Sequence, residues 1–502
     1  MKSRLLPMLI AAGVFALCFR MIQSPPPIAA NYEIEDDLAG PVAAADAYLT
    51  FRWEQEHVVV ADVADDLLVL RRLALALMGT VPSLEEVRQF EADDRPDRVK
   101  RWTLRYLHDP RFADYFAERL ARCFVGTDTG QFIIFRRDRF VDWLTDQLKT
   151  NQAYDSIISQ MIATDGLWTG DPASNFLTSA VVNGDVDENR LATRTSRAFL
   201  GQSMDCAQCH DHFFQQDITR QDFLGIAAQF GHVDFGGLGV SDDSEKQFTV
   251  TDFKDLEELT KGLPEGAKEL IIEAAVPFHP EWLGTTGSSR QRFAEWVTHE
   301  DNIRFDRAIA NRVWGLMFGR PFISPVDDMP DPPGKGLGSI HGRKNSDKAA
   351  ENSPGNTTVG EVQWEEHRDV LSVLAKDFRA HNRDLRRLIQ VIAATKAFHL
   401  DSVHTVQDAM MLDRIDRHWA VFPMTRLRPE QVIGSMIQSS FIRTVDKNSH
   451  LFLRMIRFFR ERDFVERYGD LGDQELIERS GTIPQALLRM NSVMTRETIK
   501  AD

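Results

Sequence analysis

Cysteine is scarce. The 502 residues hold four, one of them Cys18 inside an N-terminal apolar run. The remaining three are too few for the disulfide framework of a small secreted domain. Also missing are a Walker phosphate loop, a G-x-S-x-G elbow, an H-E-x-x-H zinc helix and a dinucleotide fingerprint. The stretch "DPPGKGLG" lacks the phosphate-loop spacing. Basic charge is not in excess: 75 acidic residues against 59 basic ones give a net charge of −16. That excludes a general nucleic-acid binder, which needs clustered Lys and Arg to displace counterions. No repeat recurs at a solenoid period. What is present, 43% hydrophobic and 27% charged residues, is an ordinary globular composition. The length allows two or three domains.

The N-terminus has a definite pattern. Lys2 and Arg4 precede an apolar run from Leu5 to Phe19, and "SPPPIAAN" follows a few residues on. A basic start, a short apolar run and a small-residue exit near Ala30 make a secretory signal. The run is short for a full membrane span, so an uncleaved anchor is the alternative. Residues 1–30 are therefore expected to be a signal peptide or N-terminal anchor. The remainder is expected to work outside the cytoplasm, periplasmic or secreted, meeting a membrane only through that segment.

Residues 24–62 are rich in Pro, Ala and Asp, and 31–62 read as a linker. From residue 63 the period is helical. Phe112, Phe116, Leu120 and Phe124 recur every fourth residue, and Tyr154, Ile157, Ile158, Met161 and Ile162 form an i, i+3, i+4, i+7, i+8 stripe. Ser83 and Glu86 have capping-box spacing. Residues 236–289 are loop-rich, with at most a few short strands. Helical period returns at Arg290, where Phe305, Ala308, Ile309, Val313, Leu316 and Met317 share a face that Gly319 and Pro321 terminate. Two further helices centre on Leu371 and Leu388. The predicted fold is mainly α: two helical domains, 63–235 and 290–502, joined by the loop-rich segment. The second carries a Pro/Gly/Asn/Ser-rich insertion at 327–362, expected to be a mobile surface loop.

Two of the few cysteines stand together in "SMDCAQCHDHFFQQD", residues 203–217. Cys206-Ala207-Gln208-Cys209-His210 is a C-x-x-C-H pentad. Two thiols so spaced can add to the two vinyl groups along one porphyrin edge, and the next side chain is placed to reach the iron. Composition alone predicts about 0.001 such pentads in a chain of this length. The flanks suit attachment: one helix is predicted over Leu191 to Leu200, and another starts at Thr219, which with Asp222 has capping-box spacing. The favoured reading is covalent haem c, with Cys206 and Cys209 as attachment points and His210 as the proximal iron ligand. Met161, Met204 and His232 are candidates for the sixth ligand, none at a diagnostic spacing. His212 lies too close to His210 to reach the opposite face of the same porphyrin. Three alternatives stay open: zinc held by Cys206, Cys209 and His212 with a distant His, a reversible redox dithiol, and a structural disulfide. Cys123 reads as a buried apolar residue. Asp327-Asp328 and "DVDEN" at 185–189 read as solvated acidic turns. No catalytic residue is identifiable.

Longer stretches carry a resemblance. "LRRLALALMGTVPSLEEVRQFEAD", "YLHDPRFADYFAERLARCF" and "CAQCHDHFFQQDITRQDFLGIAAQF" resemble the planctomycete cytochrome-c-like domain DUF1549 (PSCyt2). "RFDRAIANRVWGLMFGRPFISPVDDM", "RLRPEQVIGSMI" and "TIPQALLRMNS" resemble its usual C-terminal partner, DUF1553 (PSD1). The resemblance covers nearly all of residues 63–495. It implies an exported protein of planctomycete type, with haem at the pentad matched by Cys206, Cys209 and His210 and an unknown redox partner. The alternative it implies is a non-haem scaffold or accessory protein among polysaccharide-processing proteins. Many relatives add an N-terminal cytochrome domain that has no counterpart in this sequence, so one haem at most is expected at a recognised site. The family usually follows C-H-D-H with a basic residue or Pro, then Phe and Asp. Here Phe213-Phe214-Gln215 stands instead.

Overall fold

A computed structural model describes residues 36–128, 134–211, 218–252, 268–330, 369–445 and Leu476. The proposed signal or anchor at 1–30 lies outside them, as does most of the insertion. Among the described residues no helix is long and apolar enough to cross a membrane.

Helices dominate. In the first region they are α1 (Ala39–Gln55), α2 (Asp66–Met78), α3 (Leu84–Glu91), α4 (Arg98–Leu107), α5 (Pro110–Val125), α6 (Arg137–Lys149), α7 (Tyr154–Ala163), α8 (Asn175–Thr178), α9 (Glu188–Leu200) and α10 (Arg220–Ala228). In the second they are α11 (Ser289–Val297), α12 (Ile303–Phe318), α13 (Val370–Ala380), α14 (Leu385–Ala394), α15 (Lys396–His399), α16 (Ala409–Arg417) and α17 (Pro429–Ser439). The strands are short antiparallel pairs: β1 (Val181–Val182) with β2 (Asp185–Val186), β3 (Val233–Gly236) with β4 (Gly239–Asp242), and β5 (Thr249–Val250) with β6 (Leu270–Ile271). This is the mainly α fold that the periodicity predicts, two helical regions separated by loop-rich chain.

Local signals place the ends. Ser83 and Glu86 cap α3 reciprocally, and Thr219 and Asp222 do the same for α10. Gly319, at φ 88°, ends α12 in the left-handed conformation. The predicted stripes of α5, α7 and α12 are all buried.

The apolar clusters of the two regions are continuous. The reason is α12, which packs on α2 and α9 of the first region and on α13 and α14 of the second. Every residue of α12 from Arg304 to Phe318 is buried. Its charges therefore need partners, because an unpaired buried charge is costly. Arg307 donates to Asp369 at 2.6 and 2.8 Å, and Asp306 accepts from Arg383 at 2.8 Å.

One expected linker is a folded element. Residues 39–55 form α1, whose Ala45, Leu49 and Trp53 recur every fourth residue and are buried against α13 and α14. The Trp53 indole donates to the His418 carbonyl at 2.8 Å. Beyond α1, Ala61 and Ala64 donate backbone bonds to Ala420 and His399, both at 2.8 Å. The Pro and Asp content of residues 24–62 obscured a helix whose interior is rich in good helix formers.

Candidate functional site

The pentad begins where α9 ends. Gly201 closes that helix in the left-handed conformation, with φ 59° and ψ 36°. Four residues later the chain enters a 3-10 turn, Asp205–Gln208. Its first bond runs from the Ala207 N–H to the Met204 carbonyl at 2.9 Å. Met204 and Ala207 point into the core and are fully buried. Cys206 and Cys209 point the other way: both are exposed, free thiols. The amides of Cys209 and His210 both donate to the Cys206 carbonyl at 3.4 Å, which folds the pentad into one tight turn.

His210 follows directly and is half-buried. Its Nδ1 donates to the Asp211 carbonyl at 2.8 Å. A carbonyl only accepts, so in the neutral ring Nδ1 carries the proton and the lone pair lies on Nε2. That is how a metal-ligating imidazole is usually oriented and its tautomer fixed.

The exit from the turn is tied to α10 by one side chain. Arg220, nearly buried, donates through Nε to the Gln208 carbonyl at 3.3 Å and through a terminal nitrogen to the Asp252 carbonyl at 2.6 Å. Its backbone N–H donates to the Asp211 carboxylate at 2.9 Å. The approach to the turn is held from the second region. Gln202 is wholly buried; its amide nitrogen donates to Asp328 at 2.8 Å, and its oxygen accepts from Arg304 at 2.7 Å. Arg197 reaches Asp327 at 3.4 Å and Asp205 at 3.9 Å, and Arg312 also pairs with Asp327.

The structure thus brings Cys206, Cys209 and His210 together on one surface turn. His212 lies outside the described residues, so the zinc set that needs it has no geometry here. Among the described residues no three His, Cys, Asp or Glu side chains are grouped to hold a metal ion. Of the sixth-ligand candidates, Met161 and Met204 are fully buried in the apolar core. The His232 ring meets the Lys246 carbonyl through Nδ1 at 2.6 Å. Cys123 is half-buried rather than fully inside.

The acidic pair at 327–328 departs from its expected solvated state, whereas in the stretch at 185–189 Asp185 is exposed as expected. Asp327 and Asp328 are half-buried and partnered, and Asp187 caps α9 by accepting from the Arg190 N–H at 3.0 Å. Arg312, a partner of Asp327, is 15 residues away, but Arg197 and Gln202, through which the pair reaches the turn, lie 130 and 126 residues away along the chain. No local pattern could reveal them. The only cue was an acidic pair placed between the apolar Val326 and Met329, both of which are buried.

Two families match. Residues 44–235 match the family described as PSCyt2, a protein of unknown function (DUF1549). Residues 289–334 and 359–501 match PSD1, a protein of unknown function (DUF1553). No curated protein and no solved structure matches the chain.

Proposed function

Because the chain belongs to the family that joins a DUF1549 (PSCyt2) region to a DUF1553 (PSD1) region, we propose that it is an exported c-type cytochrome-like electron-transfer protein. Cys206 and Cys209 attach haem c, and His210 is its proximal ligand. One observation carries this reading: two free, exposed thiols share a single turn with a histidine whose Nδ1 proton is already engaged. The donor set fits the group. Each thiol would add its S–H across one vinyl double bond, sulfur to one carbon and hydrogen to the other, so attachment would consume no oxidant or reductant. His210 follows the second thiol in the same turn, and Arg220 and Gln202 hold the two ends of that turn. When bound, haem supplies a one-electron couple whose potential is set by its axial ligands and its exposure. The basic, apolar and small-residue N-terminus agrees with work outside the cytoplasm, where the partner is an unidentified redox protein.

The test is expression with the native N-terminus in a host competent for cytochrome c maturation. A reduced pyridine haemochrome spectrum and an intact mass one haem heavier than the polypeptide are expected. Cys206→Ser with Cys209→Ser should abolish both. A colourless wild-type protein without the mass gain would overturn the reading, and zinc in that sample would then favour the zinc alternative at Cys206, Cys209 and His212.

A further inference from the structure

We propose that the segment Asp327–Asp328–Met329, which follows α12 in the DUF1553 region, is a positioning element for the pentad of the DUF1549 region. The inference deepens the functional reading above, because what it positions is the proposed haem site. Its physical basis is separate.

Only Gly201 to Asp205 connect α9 to the first cysteine. Residues 327–329 reach this short stretch directly at Gly201 and Gln202, and through Arg197 at Asp205. The Met329 N–H donates to the Gly201 carbonyl at 2.8 Å. A Cβ on Gly201 would lie 2.4 Å from the Met329 Cε and 3.4 Å from the Ala308 Cβ, so the two segments meet without room for a side chain. Asp328 accepts from the Gln202 side chain, whose oxygen is held in turn by Arg304 of α12. Asp327 holds Arg197, which also faces Asp205, the first residue of the 3-10 turn. A further contact runs back to α9, where the Gln202 N–H donates to the Ser196 carbonyl at 3.0 Å.

The charges explain why this arrangement resists exchange for another. Arg304 and Arg312 are nearly inaccessible to water. A buried guanidinium holds its acceptors in place because releasing them leaves a desolvated charge. Arg312 fixes Asp327, Asp327 fixes Arg197, and Arg304 with Asp328 fixes Gln202 from both ends of its amide. Gln202 can satisfy a donor and an acceptor together only in this orientation. Moving residues 327–329 would therefore move the root of the pentad, and with it the direction in which Cys206, Cys209 and His210 leave the fold.

The test uses the full-length chain without haem, followed by peptide-resolved hydrogen exchange. Asp328→Ala removes the acceptor for Gln202. Residues 201–209 should then exchange about tenfold faster, the scale of one lost buried hydrogen bond, while α5 and α12 keep wild-type rates. Asp328→Asn retains a carbonyl oxygen for Gln202 and should restore the wild-type pattern, which general destabilisation would not allow. If Asp328→Ala does not fold, Arg197→Gln at a partly exposed position should loosen residues 203–209 selectively. Unchanged exchange at 201–209, an equal acceleration across α9 and α12, or failure of Asp328→Asn to rescue would each overturn the proposal. In haem-loaded protein the reduction potential should shift in Asp328→Ala and return in Asp328→Asn. A colourless wild-type protein would sink the haem reading while leaving the exchange result to decide this one.

Discussion

Glu430 shows how a single residue ties the two family regions together. It sits in the first turn of α17, buried, and accepts from Arg119 at 3.0 Å and Arg122 at 2.7 Å, both on α5. Burial by itself would raise its pKa. The two guanidiniums outweigh burial and hold the carboxyl down at about 2, below its ordinary 4.5. A carboxyl depressed in the folded state stabilises above its unfolded pKa and loses that contribution as pH falls toward the folded value. Stability should therefore decline from about pH 4.5 toward pH 2 in part through this residue. Glu430→Gln should cost about 3 kcal/mol at neutral pH, because it removes the carboxylate that both buried arginines face at 3.0 Å or less and leaves them to share Glu118. It should also flatten the pH dependence in that window. Urea unfolding of both proteins across pH 2 to 7 would check this, and an unchanged acid slope in the variant would refute it. Residues of this kind were the least legible in the sequence. The pentad could be found because its chemistry lies in five consecutive positions, whereas Glu430, Gln202 and Asp328 act through partners more than a hundred residues away.

At the scale of elements the sequence was far more readable, because caps and stripes are local. The capping boxes of α3 and α10 and the buried faces of α5, α7 and α12 follow from spacing alone. Elements set by close approach were not readable in this way. Gly434 lies in the middle of α17, where glycine weakens a helix. The structure supplies the reason: a Cβ there would lie 2.5 Å from the Gly79 carbonyl oxygen, at the left-handed end of α2. That atom is backbone, and it belongs to a residue whose own Cβ position is filled by the Tyr115 ring, so the turn has little room to retreat. Gly434→Ala improves helix propensity yet should destabilise the protein by about 1–3 kcal/mol through overpacking. A rise in the thermal midpoint would show that α2 and α17 can separate at no cost. The element missed outright was α1, whose three buried positions lie within a run framed by Pro and Asp.

For the whole molecule, the two family regions differ in sequence but not in core. Their boundary falls in loop-rich chain, yet α12 of the second region packs against α2 and α9 of the first. Ion pairs cross the same boundary: Arg290 with Asp165 and Asp242, Arg383 with Asp155, and Glu430 with Arg119 and Arg122. Removing either region would expose an apolar face and leave buried arginines without their acceptors. A chain of this length would ordinarily unfold domain by domain, but a shared core couples the regions. The full chain should unfold in one transition, with helix loss by circular dichroism coinciding with the change in tryptophan fluorescence. Those tryptophans report on both sides, Trp102 and Trp143 in the first region and Trp296, Trp314 and Trp419 in the second, all buried. A fragment of residues 36–235 should lack fixed tertiary packing and bind a hydrophobic dye. Two separated transitions, or a fragment with native near-ultraviolet dichroism, would mean that each region folds alone and that α12 only docks on a finished partner.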